Sequence, residues 1–206
     1  MIVKNLKKIR KILLPHWTDI WSEIIQIEKS KKGLHIGPGL AKIENTISID
    51  INPATSPDIV WDLNKTPWPI KNDTYDVIIA MNVMEHLNDI SKTMDELHRI
   101  SKPNAIINIL VPHFSAAAAF VDPTHKSFFS FRTFDYFIGG KTLENAYGFY
   151  KNIRFDLIRA DIHLAPKIQY IPFLLFLVKK FPKFWETYLC YIIRGDAIFF
   201  QLKVLK

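Results

Sequence analysis

Three short apolar runs that end in glycine or a carboxylate constrain this fold most strongly. The first leads into Gly37 and Gly39, the second ends at Asp50, and the third ends at Asp62. Parallel strands deliver ligand-contacting groups in this way, because their carboxyl ends meet at one edge of an α/β sheet. A glycine pair alone is common in turns, whereas the ordered series is not. The sequence therefore predicts an α/β sheet that binds a nucleoside.

The groups at these strand ends differ in their chemistry. Gly37 and Gly39 allow the backbone to turn sharply and to approach a ligand, since a Cβ there would occupy the space that the ligand needs. Asp50 is placed to accept hydrogen bonds from a ribose diol. Asp62, after the next strand, would then meet the base.

These residues, together with the apolar run and polar turn at residues 75–87, resemble the class I S-adenosylmethionine-dependent methyltransferases. The resemblance covers residues 33–137, and residues 75–87 look like the fourth strand and following loop of that family. It implies a Rossmann-like, doubly wound, mostly parallel sheet with an antiparallel edge strand, and S-adenosylmethionine as the cofactor. The implied cofactor contacts are Gly37 and Gly39 at the methionine part, Asp50 at the ribose, Asp62 and the Leu63 backbone at the adenine, and Asn82, His35 and Ile51 around the pocket.

The chain departs from the family pattern in its first loop. His35 stands where the family usually has an acidic residue, and Ala41 stands where it usually has a third glycine. Only residues 40–46 remain for the first crossover, although parallel strands usually need a dozen or more residues with a helix. We therefore expect a loop or a single turn there.

The length and composition predict one domain. A chain of 206 residues with 49% hydrophobic content can bury one substantial core. We expect an N-terminal helical extension at 1–32, a cofactor-binding core at 33–164, a helical insert at 165–194 and a last strand at 195–206. Within the core, we expect a helix from about 90 to 101, a turn at Pro103 and Asn104, and strands at 59–63, 105–111 and 154–164.

The charge is unevenly distributed along the chain. The net charge of +7 is the sum of +5 in residues 1–33, −4 in residues 34–150 and +6 in residues 151–206. Basic flanks can attract nucleic acid, an anionic membrane surface or a phosphorylated substrate, or can be solvated surface charge. Cys190 stands alone, which excludes a disulfide framework and a cysteine zinc site and is compatible with a reducing compartment.

Two segments have the pattern of membrane-surface structures. Residues 2–14 form a basic amphipathic helix pattern, and they lack the uninterrupted apolar run of a secretory signal. The apolar runs in 165–194 are too short to span a bilayer, so this insert is either a helical pair that covers the sheet edge or an interfacial anchor. We expect a cytoplasmic protein, with peripheral association at the inner face of the membrane.

Candidate catalytic residues follow the fifth strand. Methyl transfer to oxygen usually requires that the acceptor loses a proton, and histidine is the natural base near neutral pH. Three interpretations of the loop stay open: His125 as a general base oriented by Asp122, a divalent metal site of His113, Asp122 and His125, or a structural loop. His86, after Glu85, either faces the acceptor or begins a helix.

The stretch at 122–125, with Phe128 and Phe129 after it, resembles an active-site loop of family members that are often associated with surface-glycan genes. With this resemblance, the predicted function is O-methylation of a small molecule or glycan with a histidine base, carried by His125, Asp122 and His113. Residues 82–85 lack the Asn/Asp-Pro-Pro-aromatic segment that enzymes methylating base amines have there. Two alternatives remain. One is an RNA methyltransferase, which only the basic flanks support; the other is a non-catalytic cofactor-binding scaffold at membranes.

Overall fold

One seven-stranded sheet organises the computed structural model, which describes residues 27–41, 43–139, 154–165 and 171–206. The strands are β1 (Gly33–Ile36), β2 (Thr46–Asp50), β3 (Ile59–Val60), β4 (Tyr75–Met81), β5 (Ser101–Pro112), β6 (Arg154–Leu164) and β7 (Gly195–Leu205). Their order across the sheet is β3-β2-β1-β4-β5-β7-β6. Strands β1 to β5 run parallel, and β7 lies antiparallel between β5 and β6. The predicted α/β class, with a mostly parallel sheet and an antiparallel pair at one edge, is confirmed.

The central strands are apolar because both faces of the sheet are covered. β1 is buried along its whole length, and all of β4 except Asp76 is buried. Continuous apolar runs of this kind are typical of parallel strands packed on both faces.

Four α-helices lie in the described residues: α1 (Ile90–Ile100), α2 (Ala118–Val121), α3 (Pro172–Lys180) and α4 (Pro182–Tyr188). The predicted helix after β4 is confirmed as α1. It begins where the Asp89 carboxylate accepts the backbone N–H of Lys92 at 3.0 Å, a typical N-cap. Met94, Leu97 and Ile100 are fully buried on its inner face.

The first crossover contains a turn, as expected. Among the described residues between β1 and β2, the Ala41 N–H donates to the Pro38 carbonyl at 2.9 Å, and no helix forms. The chain therefore returns from the end of β1 to the start of β2 through this loop, and the parallel register places the two strand ends side by side.

Two strand boundaries differ from the predictions. β3 has only two residues, so Asp62 lies in the turn after it and not at its end. β5 begins at Ser101 and includes the predicted turn at Pro103 and Asn104. Asn104 has a φ of +63°, and the pairing with β4 shifts register at this point. The turn residues therefore form an irregularity within a strand.

The insert contains a helical pair whose inner side packs against the sheet. Val178 in α3, Trp185 in α4 and Cys190 are buried in the main core. No helix in the described part of the chain is long and apolar enough to cross a membrane. Most of the predicted N-terminal helical extension falls at residues 1–26, outside the described residues.

Candidate active site

The carboxyl ends of β1, β2 and β4 meet at one edge of the sheet. Ile36 pairs with Ile49 on one side and with Ala80 on the other. Gly37 follows Ile36 and Asp50 follows Ile49 directly, and Asn82 comes two residues after Ala80. The strand register therefore places these three residues close together. We call residues 35–39, 50–51, 62–63 and 82 the cofactor edge.

The two glycines of the cofactor edge are needed for different reasons. Both have left-handed backbone conformations, with φ of +59° at Gly37 and +52° at Gly39. A Cβ on Gly37 would lie 2.7 Å from the Cβ of Val83, whereas a Cβ on Gly39 would meet no heavy atom within 4 Å. The group that lies against Gly37 is thus Val83 in the loop after β4. The sequence had suggested a ligand at this place.

Asp50 fixes the glycine loop to the end of β2. One carboxylate oxygen accepts the Gly39 N–H at 3.0 Å, and the other accepts the Asn52 N–H at 2.9 Å. Because each carboxylate oxygen offers two lone pairs, the carboxylate keeps capacity for further donors. Ile51 follows it with its apolar side chain 63% exposed.

Asp62 and Leu63 lie in a turn at the same edge. The Asp62 carboxylate accepts the backbone N–H of Asn64 at 3.0 Å, and the Leu63 carbonyl accepts the indole N–H of Trp68 at 3.0 Å. Asn82 is exposed, with a φ of +48°, directly after β4. Contact of these residues with a cofactor stays a prediction.

His35 is a buried neutral histidine within β1. Its side chain is almost inaccessible, and its Nδ1 has no hydrogen-bond partner among the described residues. Burial lowers the pKa of His35 to about 4, although the nearby Asp50 charge raises it. A neutral imidazole therefore takes the place of the usual acidic side chain.

The loop after β5 folds back against the turn after β4. The Glu85 carbonyl accepts the N–H groups of Lys126 at 2.7 Å and Ser127 at 3.2 Å. This pairing brings the rings of His86 and His125 to 4.7 Å between centroids, in an edge-to-face arrangement. His125 is thus brought next to His86, which follows Asn82 by four residues in the loop after β4.

Hydrogen bonds fix the tautomer of both rings. His125 Nδ1 lies 2.9 Å from the Ala119 carbonyl, which can only accept, so Nδ1 carries the proton. His86 Nδ1 lies 2.9 Å from the Thr124 hydroxyl, whose own hydrogen goes to Asp122 at 2.6 Å. His86 Nδ1 therefore also donates. The Nε2 lone pair of each histidine is left for an incoming group.

Asp122 does not orient His125 through Nδ1, as one of the three interpretations of the loop required. Its carboxylate caps the turn by accepting the Thr124 N–H and hydroxyl, and these bonds, the hydroxyl one most, lower the pKa of Asp122. Its other oxygen lies 4.0 Å from His125 Nε2, on the side opposite the orienting bond. Asp122 can thus stabilise a protonated His125, while the Ala119 carbonyl fixes the ring.

Glu85 is a site residue that the sequence analysis left unassigned. Its side chain is 1% exposed, and its Oε2 has no hydrogen-bond partner among the described residues. Burial raises the pKa of Glu85 to about 7. One potential ligand atom from each of Glu85, His86 and His125 lies within 4.8 Å of the other two. We call these three residues the histidine cluster. The signal in the sequence was an acidic residue and a histidine four and five residues after the end of a buried strand.

His113 lies in the protein interior, apart from the histidine cluster. It has no exposed surface, its Nδ1 accepts the Ser115 N–H at 3.0 Å, and its Nε2 lies 3.1 Å from Glu186 in α4. These contacts favour a structural role. Within the described ranges, His113, Asp122 and His125 form no group with metal-ligand spacing. These three residues therefore do not form the metal site that was one of the three interpretations of the loop.

Comparisons with known proteins support the family and the fold of this chain. A family model described as a methyltransferase domain matches residues 17–165. No curated protein matches the chain. Among solved structures, the YcgJ protein from Bacillus subtilis has a TM-score of 0.57 at 11% identity, covering 93% of this chain and 99% of that one. A putative methyltransferase bound to the Trm112 activator of Haloferax volcanii has a TM-score of 0.58 at 12% identity, covering 99% and 96%. An S-adenosylmethionine-dependent methyltransferase from Aquifex aeolicus has 0.52 at 14%, covering 98% of each chain.

Proposed function

Because the chain belongs to the family of methyltransferase domains, with S-adenosylmethionine as cofactor, we propose that it methylates an oxygen atom of a small molecule or a glycan. The observation that carries this proposal is the position of the histidine cluster, which begins three residues after Asn82 of the cofactor edge. A group that can accept a proton thus follows directly on the predicted cofactor contacts.

The cofactor edge fits a nucleoside on three counts. Asp50 keeps acceptor capacity for a ribose diol beyond its two backbone bonds. Gly39 has no neighbour in the direction that its missing Cβ would take. Ile51 offers an exposed apolar side chain next to Asp50, which suits the face of an adenine ring.

His125 is the base that we propose. S-adenosylmethionine supplies an electrophilic methyl group, and the chain has to align the acceptor, exclude water and remove the acceptor proton. The Ala119 carbonyl holds His125 Nδ1–H, which directs the Nε2 lone pair away from the backbone. Asp122, 4.0 Å from Nε2, stabilises the imidazolium that forms. Proton transfer of this kind contributes about a hundredfold or more in rate.

Cofactor binding is tested by calorimetry with S-adenosylmethionine and its demethylated product. We expect micromolar affinity, about −8 kcal/mol, and a loss of about tenfold or more for Asp50→Asn, because hydrogen bonds to a charged acceptor are the strong ones. Glu44→Gln is the matched control, since Glu44 is an exposed acid before the opposite end of β2. Equal affinity in wild type and Asp50→Asn contradicts the assignment.

The acceptor class is tested with methyl-labelled cofactor. Small-molecule, glycan and RNA fractions are incubated with the wild-type protein and analysed by mass spectrometry for one added labelled methyl group. We expect the label on an oxygen atom in the small-molecule or glycan fraction. Label confined to RNA contradicts the proposal and supports the alternative enzyme class.

We also propose that the helical insert contacts an anionic membrane surface. Eight large apolar side chains in residues 171–192 are 47 to 79% exposed: Ile171, Phe173, Phe176, Phe181, Phe184, Tyr188, Tyr191 and Ile192. Exposed apolar side chains at this density mark interaction surfaces. Lys179, Lys180 and Lys183 are exposed among them, and each lysine near an anionic bilayer contributes about 1 kcal/mol.

This second proposal is tested by co-sedimentation with anionic and neutral vesicles. We expect the wild type to sediment with anionic vesicles and to be released as salt rises. Phe173→Ser combined with Phe176→Ser should reduce sedimentation. Val60→Ser, on the opposite edge strand and similarly exposed at 54%, should not. Equal sedimentation with both vesicle types, or with neither, contradicts this role.

A further inference from the structure

We infer that the histidine cluster, Glu85, His86 and His125, is a binding site for a divalent transition-metal ion. One ligand atom from each residue lies within 4.8 Å of the other two. Ligands about 2.1 Å from a shared ion are about 3.4 Å apart in a tetrahedral site. The three ligand atoms therefore have to approach one another by about 1.4 Å at most to share an ion.

An unpartnered buried oxygen independently indicates a cation. Glu85 is 1% exposed, and its Oε2 has no hydrogen-bond partner in the part of the chain that the structure describes. Leaving a buried carboxylate oxygen without a donor is costly. A cation at the cluster supplies the missing partner.

The bonds around both histidines are those of metal-ligand histidines. Such residues donate one ring N–H to a carbonyl, a carboxylate or another acceptor, and the other nitrogen binds the metal. His125 Nδ1 donates to the Ala119 carbonyl, and His86 Nδ1 donates to the Thr124 hydroxyl, which in turn donates to Asp122. The Nε2 lone pair of each histidine is thus available to bind an ion, and the ring is already held by its Nδ1 bond.

The ligand set favours a transition metal over magnesium or calcium. Two imidazoles and one carboxylate suit Zn²⁺, Co²⁺ or Ni²⁺, whereas magnesium and calcium prefer oxygen ligands. Three protein ligands also leave a coordination position open, as in catalytic zinc sites. An acceptor oxygen or a water molecule can occupy that position.

The consequence for turnover rests on the proposed function. The ion and the acceptor proton compete for the same Nε2 lone pair of His125, so a bound ion prevents His125 from acting as a base. We therefore expect an ion at saturation to inhibit base-dependent turnover. The ion site itself depends on no assumption about catalysis.

Metal binding is measured first, without the cofactor. Chelator-treated full-length protein is titrated with Zn²⁺ alone by calorimetry and with Co²⁺ alone by visible absorption. We expect one ion per chain and a cobalt spectrum of low coordination number. His86→Ala, His125→Ala and Glu85→Gln should each weaken binding by at least about tenfold, and Thr124→Val, which removes a supporting bond, by up to about tenfold.

His98→Gln is the matched control, because His98 lies in α1 and bonds to the Leu205 carbonyl. It should bind as wild type does, and circular dichroism verifies that each variant is folded. Absence of binding at millimolar Zn²⁺, or the same affinity in every folded variant, overturns the inference.

Turnover then separates this inference from the proposed function. One bound ion with loss of turnover supports both proposals. One bound ion with a rise in turnover supports the ion site and contradicts His125 as the base. If the protein turns over but binds no Zn²⁺ when the ion is added back at millimolar concentration, the ion site is contradicted and the proposed function is not.

Discussion

The cofactor edge and the histidine cluster lie side by side but are built differently. In the cofactor edge, contacts are local or run along paired strands: Gly37 and Asp50 are placed by register, and Asp50 bonds to the Gly39 and Asn52 backbone. In the histidine cluster, residues 38 positions apart are joined through side chains, as His86 is to Thr124. The register of neighbouring strands therefore fixes where the cofactor should bind, while the return of a distant loop onto Glu85 and the bonds of the two imidazoles fix the proton-accepting groups.

The largest effect is expected from Gly37→Ala, which tests whether backbone geometry fixes the cofactor edge. The new Cβ would clash with Val83, and the residue would keep a left-handed φ. We expect a loss of about 4 kcal/mol in the free energy of unfolding, the sum of overpacking and backbone strain. Chemical denaturation measures this loss.

Gly39→Ala is the matched control for that experiment. It has a similar φ but open space around the new Cβ, so strain alone should cost about 1 kcal/mol. Adding Val83→Ala to Gly37→Ala should recover part of the stability. Equal losses for the two glycine variants would contradict the assigned packing.

Glu186→Ala tests the side-chain bonds that connect the loop after β5 to the insert. Glu186 accepts from the His113 ring at 3.1 Å and from the Phe131 N–H at 2.6 Å. Two donors lose their partner, at about 1 to 2 kcal/mol each. We expect a loss of about 3 kcal/mol in denaturation, with unchanged cofactor affinity in the folded protein. Thr187→Ala, one residue away and exposed, should lose much less.

The buried His35 makes stability fall as the pH falls. Its pKa is about 4 in the folded protein and 6.5 in the unfolded chain, so between these values the unfolded chain binds more protons. Its contribution is therefore fully present above pH 6.5 and is lost toward pH 4, by about 2 kcal/mol at pH 5. Denaturant midpoints measured from pH 7 to pH 5 should fall less steeply in His35→Gln than in wild type. Parallel pH profiles would contradict the buried neutral state.

The smallest effect is expected at Asp122. The ring of His125 is oriented by the Ala119 carbonyl, and Asp122→Asn keeps an oxygen that can accept from Thr124. Turnover should fall by less than about tenfold, against about a hundredfold or more for His125→Gln. Equal losses in the two variants would restore the orienting role that the sequence suggested for Asp122.

The sequence predicted which residues meet at the carboxyl edge of the sheet, because polar residues directly after apolar runs end up at one edge of a parallel sheet; their contact with the cofactor stays a prediction. Gly37 and Asp50 followed from this rule, and Asn82 from the resemblance to the methyltransferase family. This rule does not predict which atoms lie against a glycine. The contact between Gly37 and Val83 was therefore not predicted.

The histidine cluster was predicted only in part. His125 could be named from its loop, but the return of that loop onto the Glu85 carbonyl depends on tertiary packing. The same is true of His113, whose partner Glu186 lies 73 residues further along the chain. In the insert, apolar spacing predicted the helices, while the exposed faces of Phe173 and Phe176 appear only in the folded chain.

The most direct test measures cofactor affinity and single-turnover rate on the same two variants, Asp50→Asn and His125→Gln, with the acceptor found by labelling. If the cofactor edge binds the cofactor and the histidine cluster removes the acceptor proton, Asp50→Asn weakens S-adenosylmethionine binding by about tenfold or more. His125→Gln should keep wild-type affinity and lose about a hundredfold or more in rate. Wild-type affinity in Asp50→Asn together with an unchanged rate in His125→Gln would contradict this division of roles.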